Sequence, residues 1–265
     1  MDQRLDWKRW NKLKMELNKI YNEDCLIGMK RIPDKSIDMV LCDLPYGTTN
    51  CNWDNIIPFE ALWNQYERII KDEGVIVLTG AEPFSSLLRN SNLKLYKYDW
   101  IWDKVKGTGF LNAKKQPMRN HETVSVFYKK FGVYNPQMTT GHALKKSKRT
   151  SKHQTDVYGE MKNDYNYSST ERYPRSIQVF STDTQNSSIH PTQKPVGMFE
   201  YFIKTYTNDG DTVLDNCMGS ATTAIACMNT DRNFIGFEKE KSYFELGNKR
   251  IAENTKQLNL LEVAK

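Results

Sequence analysis

The densest chemical signal in the chain is four consecutive residues, Asp43-Leu44-Pro45-Tyr46, followed by Gly47. They close the mostly apolar run Ser36-Ile37-Asp38-Met39-Val40-Leu41-Cys42, which reads as a buried parallel strand. The carboxyl end of a strand in an open α/β sheet is where ligands bind. These residue types suit methylation of an exocyclic amine whose lone pair is delocalised into a base ring. Two acceptors on its two hydrogens hold such a nitrogen towards a pyramidal shape and stabilise the positive charge that develops. Asp43 supplies an ionised carboxylate, and the Leu44 carbonyl supplies a second acceptor. Pro45 restricts the backbone so that this carbonyl is aimed in advance. Tyr46 offers a flat face for stacking. By itself the tetrapeptide reads equally well as a strand ended by a Pro-Tyr-Gly turn with a capping aspartate.

A second constellation lies far along the chain. Val213 to Thr223, Val-Leu-Asp-Asn-Cys-Met-Gly-Ser-Ala-Thr-Thr, reads as a strand, a small-residue turn and a helix start. Gly219 lets the backbone approach a ligand closely. The unpaired N–H groups of a helix start face a carboxylate well, and Asp215 can accept from an ammonium group. Ile235-Gly236-Phe237-Glu238 ends the next strand with an acid placed to accept from two ribose hydroxyls. A nicotinamide-dinucleotide unit and a purely structural turn are the alternatives; the absence of G-x-G-x-x-G argues against a pyrophosphate.

The elements that must position these groups alternate in type. Strands are predicted at Lys19 to Tyr21, Ser36 to Cys42, Gly74 to Gly80, Lys97 to Trp102, Glu122 to Tyr128, Thr212 to Leu214 and Asn233 to Phe237. Helices are predicted at Cys25 to Arg31, Pro58 to Lys71, Glu82 to Arg89, Val196 to Thr207, Ala221 to Met228 and Lys241 to Glu253. This alternation predicts an α/β doubly wound, mostly parallel sheet. Between residues 131 and 189 the periodicity lapses and Lys, Arg, Ser, Thr, Asn and Tyr dominate, which predicts a loop-rich insertion between two parts of one domain, 1–130 and 190–265.

The chain has 265 residues and a formal charge of +6, a mildly basic balance that suits a polyanionic partner without requiring one. Lys145, Lys146, Lys148, Arg149 and Lys152 form a cationic run without acids, flanked by His142 and His153 and followed by Tyr158, Tyr165, Tyr167 and Tyr173. Such a run is either a phosphate-binding surface or a solvated face. The loop 47–55, with Asn50, Asn52, Trp53 and Asp54, and the Gly- and Lys-containing loop 104–119 are further nucleic-acid candidates. The five cysteines are scattered without zinc spacing, so no metal is expected. They read as reduced thiols of a cytosolic protein. No apolar run is long enough to span a bilayer.

Taken together, these segments resemble a known family. Asp43-Leu44-Pro45-Tyr46 is similar to motif IV, Asp-Pro-Pro-Tyr, of the amino-methyltransferases that modify adenine N6 or cytosine N4 in DNA, with Leu44 replacing a proline. The segment from Asp215 to Thr223 resembles motif I, Asp-Pro-Phe-x-Gly-Ser-Gly-Thr-Thr, and departs from it at Asn216, Cys217 and Ala221. Asn22-Glu23-Asp24-Cys25 resembles motif III, although Asp24 also reads as a helix N-cap. His190-Pro191-Thr192-Gln193-Lys194-Pro195 resembles motif X. The order, with motif IV before the insertion and motif I after it, is that of the β group. The resemblance implies a class I methyltransferase fold, Rossmann-like, with a target-recognition region at 131–189. It implies S-adenosylmethionine as cofactor, held by Asp24, Cys25, Thr192, Lys194, Asp215, Cys217, Gly219, Ser220, Ala221, Thr222 and Glu238. Thr192 and Lys194 are expected on the cofactor carboxylate. It implies double-stranded DNA as partner, with Lys145, Lys146, Lys148, Arg149 and Lys152 on phosphates, and a base flipped onto Asp43, Leu44, Pro45 and Tyr46.

Asp rather than Ser at position 43 favours adenine by family analogy. Cytosine N4 methylation is the nearest rival, and an inactive DNA-binding protein of the same fold is the alternative of another class. The expected setting is the cytoplasm of a bacterium, or a phage-encoded enzyme. A homodimer is compatible with the resemblance, and a companion restriction endonuclease is left open.

Overall fold

The computed structural model describes residues 15–49, 51, 54–149, 153–155, 159–161, 165–181 and 193–263. The chain divides into two compact units: Pro136–Arg175 forms the smaller, and the chain on either side of it forms the larger. In chain order the strands are β1 (Lys19–Tyr21), β2 (Ile37–Cys42), β3 (Ile70–Gly80), β4 (Tyr96–Thr108) and β5 (Arg119–Tyr128). The smaller unit then contributes β6 (Lys145–Arg149), β7 (His153–Thr155), β8 (Gly159–Met161) and β9 (Tyr165–Ser169). β10 (Ile177–Val179), β11 (Thr212–Asp215) and β12 (Asn233–Phe237) follow. The helices are α1 (Cys25–Gly28), α2 (Phe59–Ile69), α3 (Phe84–Ser91), α4 (Val196–Tyr206), α5 (Thr222–Met228) and α6 (Lys241–Val263).

The larger unit is built on one eight-stranded sheet of order β1-β12-β11-β2-β3-β5-β4-β10. Within it only β5 runs against the others. Alternation along the strands explains the layers. In β2, Val40 and Cys42 point to one face and Met39 and Leu41 to the other; in β3, Ile76 and Leu78 oppose Val75 and Val77. The first face is covered by Leu62, Trp63, Tyr66 and Ile69 of α2 and by Phe84 and Leu88 of α3. Met198, Phe199, Phe202, Ile203 and Tyr206 of α4, with Ala224, Ala226 and Cys227 of α5, cover the second. Each such large side chain contributes about 1.5–3 kcal/mol by leaving water. The result is a helix–sheet–helix sandwich, the mostly parallel α/β architecture expected.

Several boundaries move. α2 ends at Ile69 and the chain enters β3 at once, four residues before the expected start at Gly74. Ile70 pairs with Ile37 across β2, so the sheet captures a segment whose local pattern was helical. α6 continues to Val263, past the expected end at Glu253. The expected insertion, 131–189, is wider than the smaller unit, because Ile177–Val179 pairs in parallel with Ile101–Asp103 of β4. The smaller unit is also more regular than a loop-rich reading suggests. β6 pairs antiparallel with β9, β7 with β8, and Thr139 bridges Arg172. Its register is held by hydrophilic pairs, Lys146 opposite Ser168 and Lys148 opposite Asn166, which carry no apolar alternation to read. No helix of the described residues is long and apolar enough to cross a membrane.

Candidate active site

The carboxyl ends of β1, β12, β11, β2, β3 and β4 meet at one edge of the sheet, and the reversed β5 brings its amino end there too. A cavity of about 710 Å³ opens at this edge, within the usual size range of ligand sites. Its wall joins residues distant in sequence: Asp24 and Cys25 after β1, Asp43 to Tyr46 after β2, Asp215 to Ser220 and Thr222 after β11, Glu238 after β12, and Lys194. Of the described residues expected here, only Ala221 is off the wall; it is fully buried. Thr192, His190 and Pro191 lie outside the described residues.

Asp43 is the centre of a polar network. The Tyr46 hydroxyl donates to its Oδ1 at 2.7 Å and the Thr79 hydroxyl donates to the same atom at 2.5 Å. The ammonium of Lys194 also meets Oδ1, at 2.9 Å. Among the described residues none donates a hydrogen bond to Oδ2. Three donors thus converge on one carboxylate oxygen, and the described residues leave the other as an acceptor. Lys194 lies 3.2 Å from Glu122 Oε2, and Lys104 holds Glu122 Oε1 at 3.0 Å. Two cations and two carboxylates therefore alternate through the cluster. Burial opposes the charge on Lys194, but Asp43 and Glu122 outweigh it and hold the ammonium above its ordinary pKa. Burial likewise opposes the charge on Glu122, and Lys194 and Lys104 hold its carboxyl below the ordinary value. Tyr46 stays protonated: burial and the Asp43 carboxylate both push its hydroxyl up. Its ring stacks on Phe84 with centroids 5.0 Å apart, so part of the flat face expected for a ligand is engaged within the fold. Lys194, expected on a cofactor carboxylate, reaches Asp43 because it lies two residues before α4 and is buried against the β4–β5 side of the cavity.

The other half of the cavity is organised around Asp215 and Glu238. Asp215, buried, accepts from Thr223 Oγ1 and from the Cys217 amide at 3.0 Å. Burial raises its pKa to about 6, against the lowering effect of those two donors. Glu238 accepts from the amides of Gly219 at 2.7 Å and Glu240 at 2.8 Å, and burial raises its pKa. The amide of Met218 bonds the Phe237 carbonyl at 2.8 Å, tying the turn after β11 to the end of β12. Gly219 takes φ +52 and Ala221 φ +66, both in the left-handed region. That conformation costs an alanine about 1–2 kcal/mol, and the methyl group is packed against Gly247 on α6. Asp24 caps α1, accepting from the Leu26 amide at 2.9 Å, and remains on the cavity wall, so both readings of this residue are compatible with its position. Asn216 accepts from Tyr66 at 2.5 Å and approaches the thiols of Cys25 and Cys217 at 3.6 and 3.5 Å.

Some contributors were not legible in the sequence. Thr79, Lys104 and Glu122 sit on strands whose direction no local pattern reveals. The available signal was a charge at the end of an otherwise apolar strand, Glu122 before Val124-Ser125-Val126-Phe127. Asp54, 6% exposed, accepts from the amides of Gly47, Thr48 and Thr49 at 2.8, 2.9 and 2.7 Å and so fixes the loop after the tetrapeptide. Asn50, Asn52 and Trp53 of that loop lie outside the described residues. In the smaller unit, Lys145, Lys146 and Lys148 are exposed on β6. The run is a strand, so Lys146 and Lys148 share one face and Lys145 takes the other. Lys152 and Tyr158 lie outside the described residues.

Known proteins share this sequence and architecture. A family model for N6/N4 DNA methylases matches residues 37–249. The chain is 27% identical over 258 residues to the type II methyltransferase M1.MboII of Moraxella bovis, covering 88% of this chain and 96% of the relative. It is 25% identical over 257 residues to the DNA adenine methyltransferase YhdJ of Escherichia coli (strain K12), covering 89% and 83%. Among solved structures, the M1.HpyAVI–SAM complex superimposes with a TM-score of 0.61 at 24% identity, covering 88% of this chain and 98% of the other. The cytosine-N4-specific PvuII DNA methyltransferase superimposes with a TM-score of 0.65 at 16% identity, covering 89% and 90%. These likenesses are to the class I methyltransferase fold.

Proposed function

The chain belongs to the N6/N4 DNA methylase family, and from that premise we propose that it methylates N6 of adenine in duplex DNA through Asp43. The coarser activity is that of an S-adenosylmethionine-dependent DNA methyltransferase. When bound, S-adenosylmethionine supplies an electrophilic methyl group on a sulfonium. The residues present fit this cofactor: a buried carboxylate for the ammonium, a turn of small residues for the carboxylate, and an acid at the next strand end for the ribose. Asp215 takes the first role, Ser220 and Thr222 the second with Gly219 giving close approach of the backbone, and Glu238, which already accepts from the Gly219 amide, the third. Asp24 and Cys25 would hold the adenine moiety, and Cys217 lines the same wall.

The carrying observation is the asymmetric Asp43 carboxylate. With Oδ1 held by three donors, Oδ2 accepts one amino hydrogen of a base turned into the cavity, and the Leu44 carbonyl accepts the other. Pro45 stiffens that carbonyl, and Tyr46 gives the base a partner for stacking. The charge developing on nitrogen then meets an acceptor that needs no reorganisation. An exocyclic amine of adenine and one of cytosine satisfy this geometry alike. Adenine is favoured by Asp43 in the motif and by the relative named as a DNA adenine methyltransferase. Incubation with labelled cofactor and duplex DNA, followed by nucleoside mass spectrometry, is expected to yield N6-methyldeoxyadenosine. N4-methyldeoxycytidine alone would replace adenine with the rival base. Absence of both from a folded, cofactor-binding protein would reduce the chain to an inactive binder.

The basic strand β6 is the proposed phosphate-contacting surface of the smaller unit. Lys146→Ala/Lys148→Ala, which strips one face, is expected to lower the slope of log affinity against log salt by about 1.8, at about 0.9 per lost contact. Lys145→Ala, on the other face, is expected to change it less. Equal slopes for wild type and the double variant, measured by fluorescence anisotropy, would make this a solvated face.

A further inference from the structure

The hairpin joining β4 to β5 ends in a tip that the sheet does not need. Phe110 is 78% exposed and Leu111 98%. The tip is nonetheless built. Thr108 pairs with Arg119 and donates to its carbonyl at 3.1 Å. Gly109 makes the corner at φ +89, and Phe110–Asn112 forms a single 3₁₀ turn. That turn is closed by the Ala113 amide on the Phe110 carbonyl at 3.0 Å and the Lys115 amide on the Asn112 carbonyl at 2.8 Å. The two strands are close: a Cβ on Gly107 would meet Met118 at 3.0 Å.

Charge identifies what such a tip meets. From Lys104 to His121 the chain carries Lys104, Lys106, Lys114, Lys115 and Arg119 and no acid. Lys106, Lys114, Lys115 and Arg119 are exposed or nearly so, and Thr108, Arg119 and His121 reach the cavity wall. Two adjacent exposed apolar side chains on a hairpin segment that carries only cations, and whose strands reach the cavity wall at Thr108 and Arg119, match an object that is anionic outside and apolar and stacked inside. Duplex DNA has that character.

We propose that Phe110 and Leu111 form a wedge that enters the base stack and fills the space left when the target base turns into the cavity. Lys114 and Lys115 sit on the flanking phosphates. The proposal rests on the reading of the chain as a DNA methyltransferase. The wedge serves base extrusion, so its removal should matter only where the target base is paired and stacked.

The test compares the intact protein with Phe110→Ala/Leu111→Ala on two duplexes, one with the target base paired and one with it opposite an abasic site. The double variant is expected to lose about 10-fold or more in kcat/KM on the paired duplex and to stay within about 2-fold on the other. A fluorescent adenine analogue at the target position should report less extrusion. Leu111→Met, which keeps apolar reach, should retain wild-type behaviour. Lys114→Ala/Lys115→Ala should lower the salt slope by about 1.8 on both duplexes. Unchanged affinity for S-adenosylhomocysteine verifies the fold of each variant. A double variant that matches wild type on the paired duplex, or that loses equally on both, overturns the wedge. So does a wild type that sediments as a dimer and a double variant that sediments as a monomer with unaltered extrusion, which would assign the tip to a second copy of the chain. A wild type that methylates neither duplex overturns the functional reading and the wedge with it.

Discussion

Asp43→Asn is expected to lower the rate of methyl transfer by about 100- to 1,000-fold, the usual cost of losing one preorganised group that stabilises transition-state charge. The two carboxylate oxygens have different neighbours, and this substitution separates them. An asparagine places its carbonyl where Lys194, Thr79 and Tyr46 donate, because its amide hydrogens would be repelled there. The amide then occupies the Oδ2 position, where it donates instead of accepting and carries no charge. The fold and the cofactor pocket should therefore survive while the chemistry fails. Asp43→Ala is expected to lose as much rate and also some stability, about 3 kcal/mol at most, since it leaves the buried Lys194 with Glu122 as its remaining counter-ion. Stopped-flow or labelled-methyl assays give the rate, calorimetry the affinity for S-adenosylhomocysteine, and thermal melting the stability. Substantial turnover by either variant would remove Asp43 from the chemistry. A rate loss accompanied by collapse of cofactor affinity would move it into the cofactor site.

Cofactor affinity is expected to depend on pH through Asp215. Burial raises the pKa of this carboxyl to about 6 in the free protein, and the ammonium group of the ligand would lower it again. Binding therefore favours the ionised form and releases a proton when the pH lies below about 6. Affinity should reach a plateau above neutrality and fall about ten-fold for each unit of pH below the free-protein value, until the lower pKa of the complex is passed. Asp215→Asn should weaken binding by about 100-fold at neutral pH, as expected for truncating one member of a buried charge pair, and should flatten the pH dependence to what Glu238 contributes. Calorimetry in two buffers of different ionisation enthalpy measures the released proton directly. Constant affinity between pH 5 and 8 in the wild type would show that Asp215 does not hold the ammonium group. Glu238→Gln serves as the control: it should weaken binding through the ribose and leave a pH dependence in place.

The sequence by itself determined the alternation of strands and helices, because buried parallel strands are continuous apolar runs and the covering helices repeat at their own period. Strand β2 and the turn after β11 were legible for that reason, and so were Asp43, Asp215 and Glu238, each placed directly after such a run. Tertiary structure alone decided how those ends meet. The neighbours of β2 are β11 and β3, so Asp43 and Asp215 share one cavity although the insertion separates them in the chain. The reversal of β5 decided that Glu122 faces the same cavity, since strand direction is set by pairing and leaves no mark on local composition. Lys194 illustrates the limit most plainly. Its place before α4 was readable, but its partners were not. A buried ammonium takes whichever carboxylates the fold brings within reach, and here those come from β2 and β5.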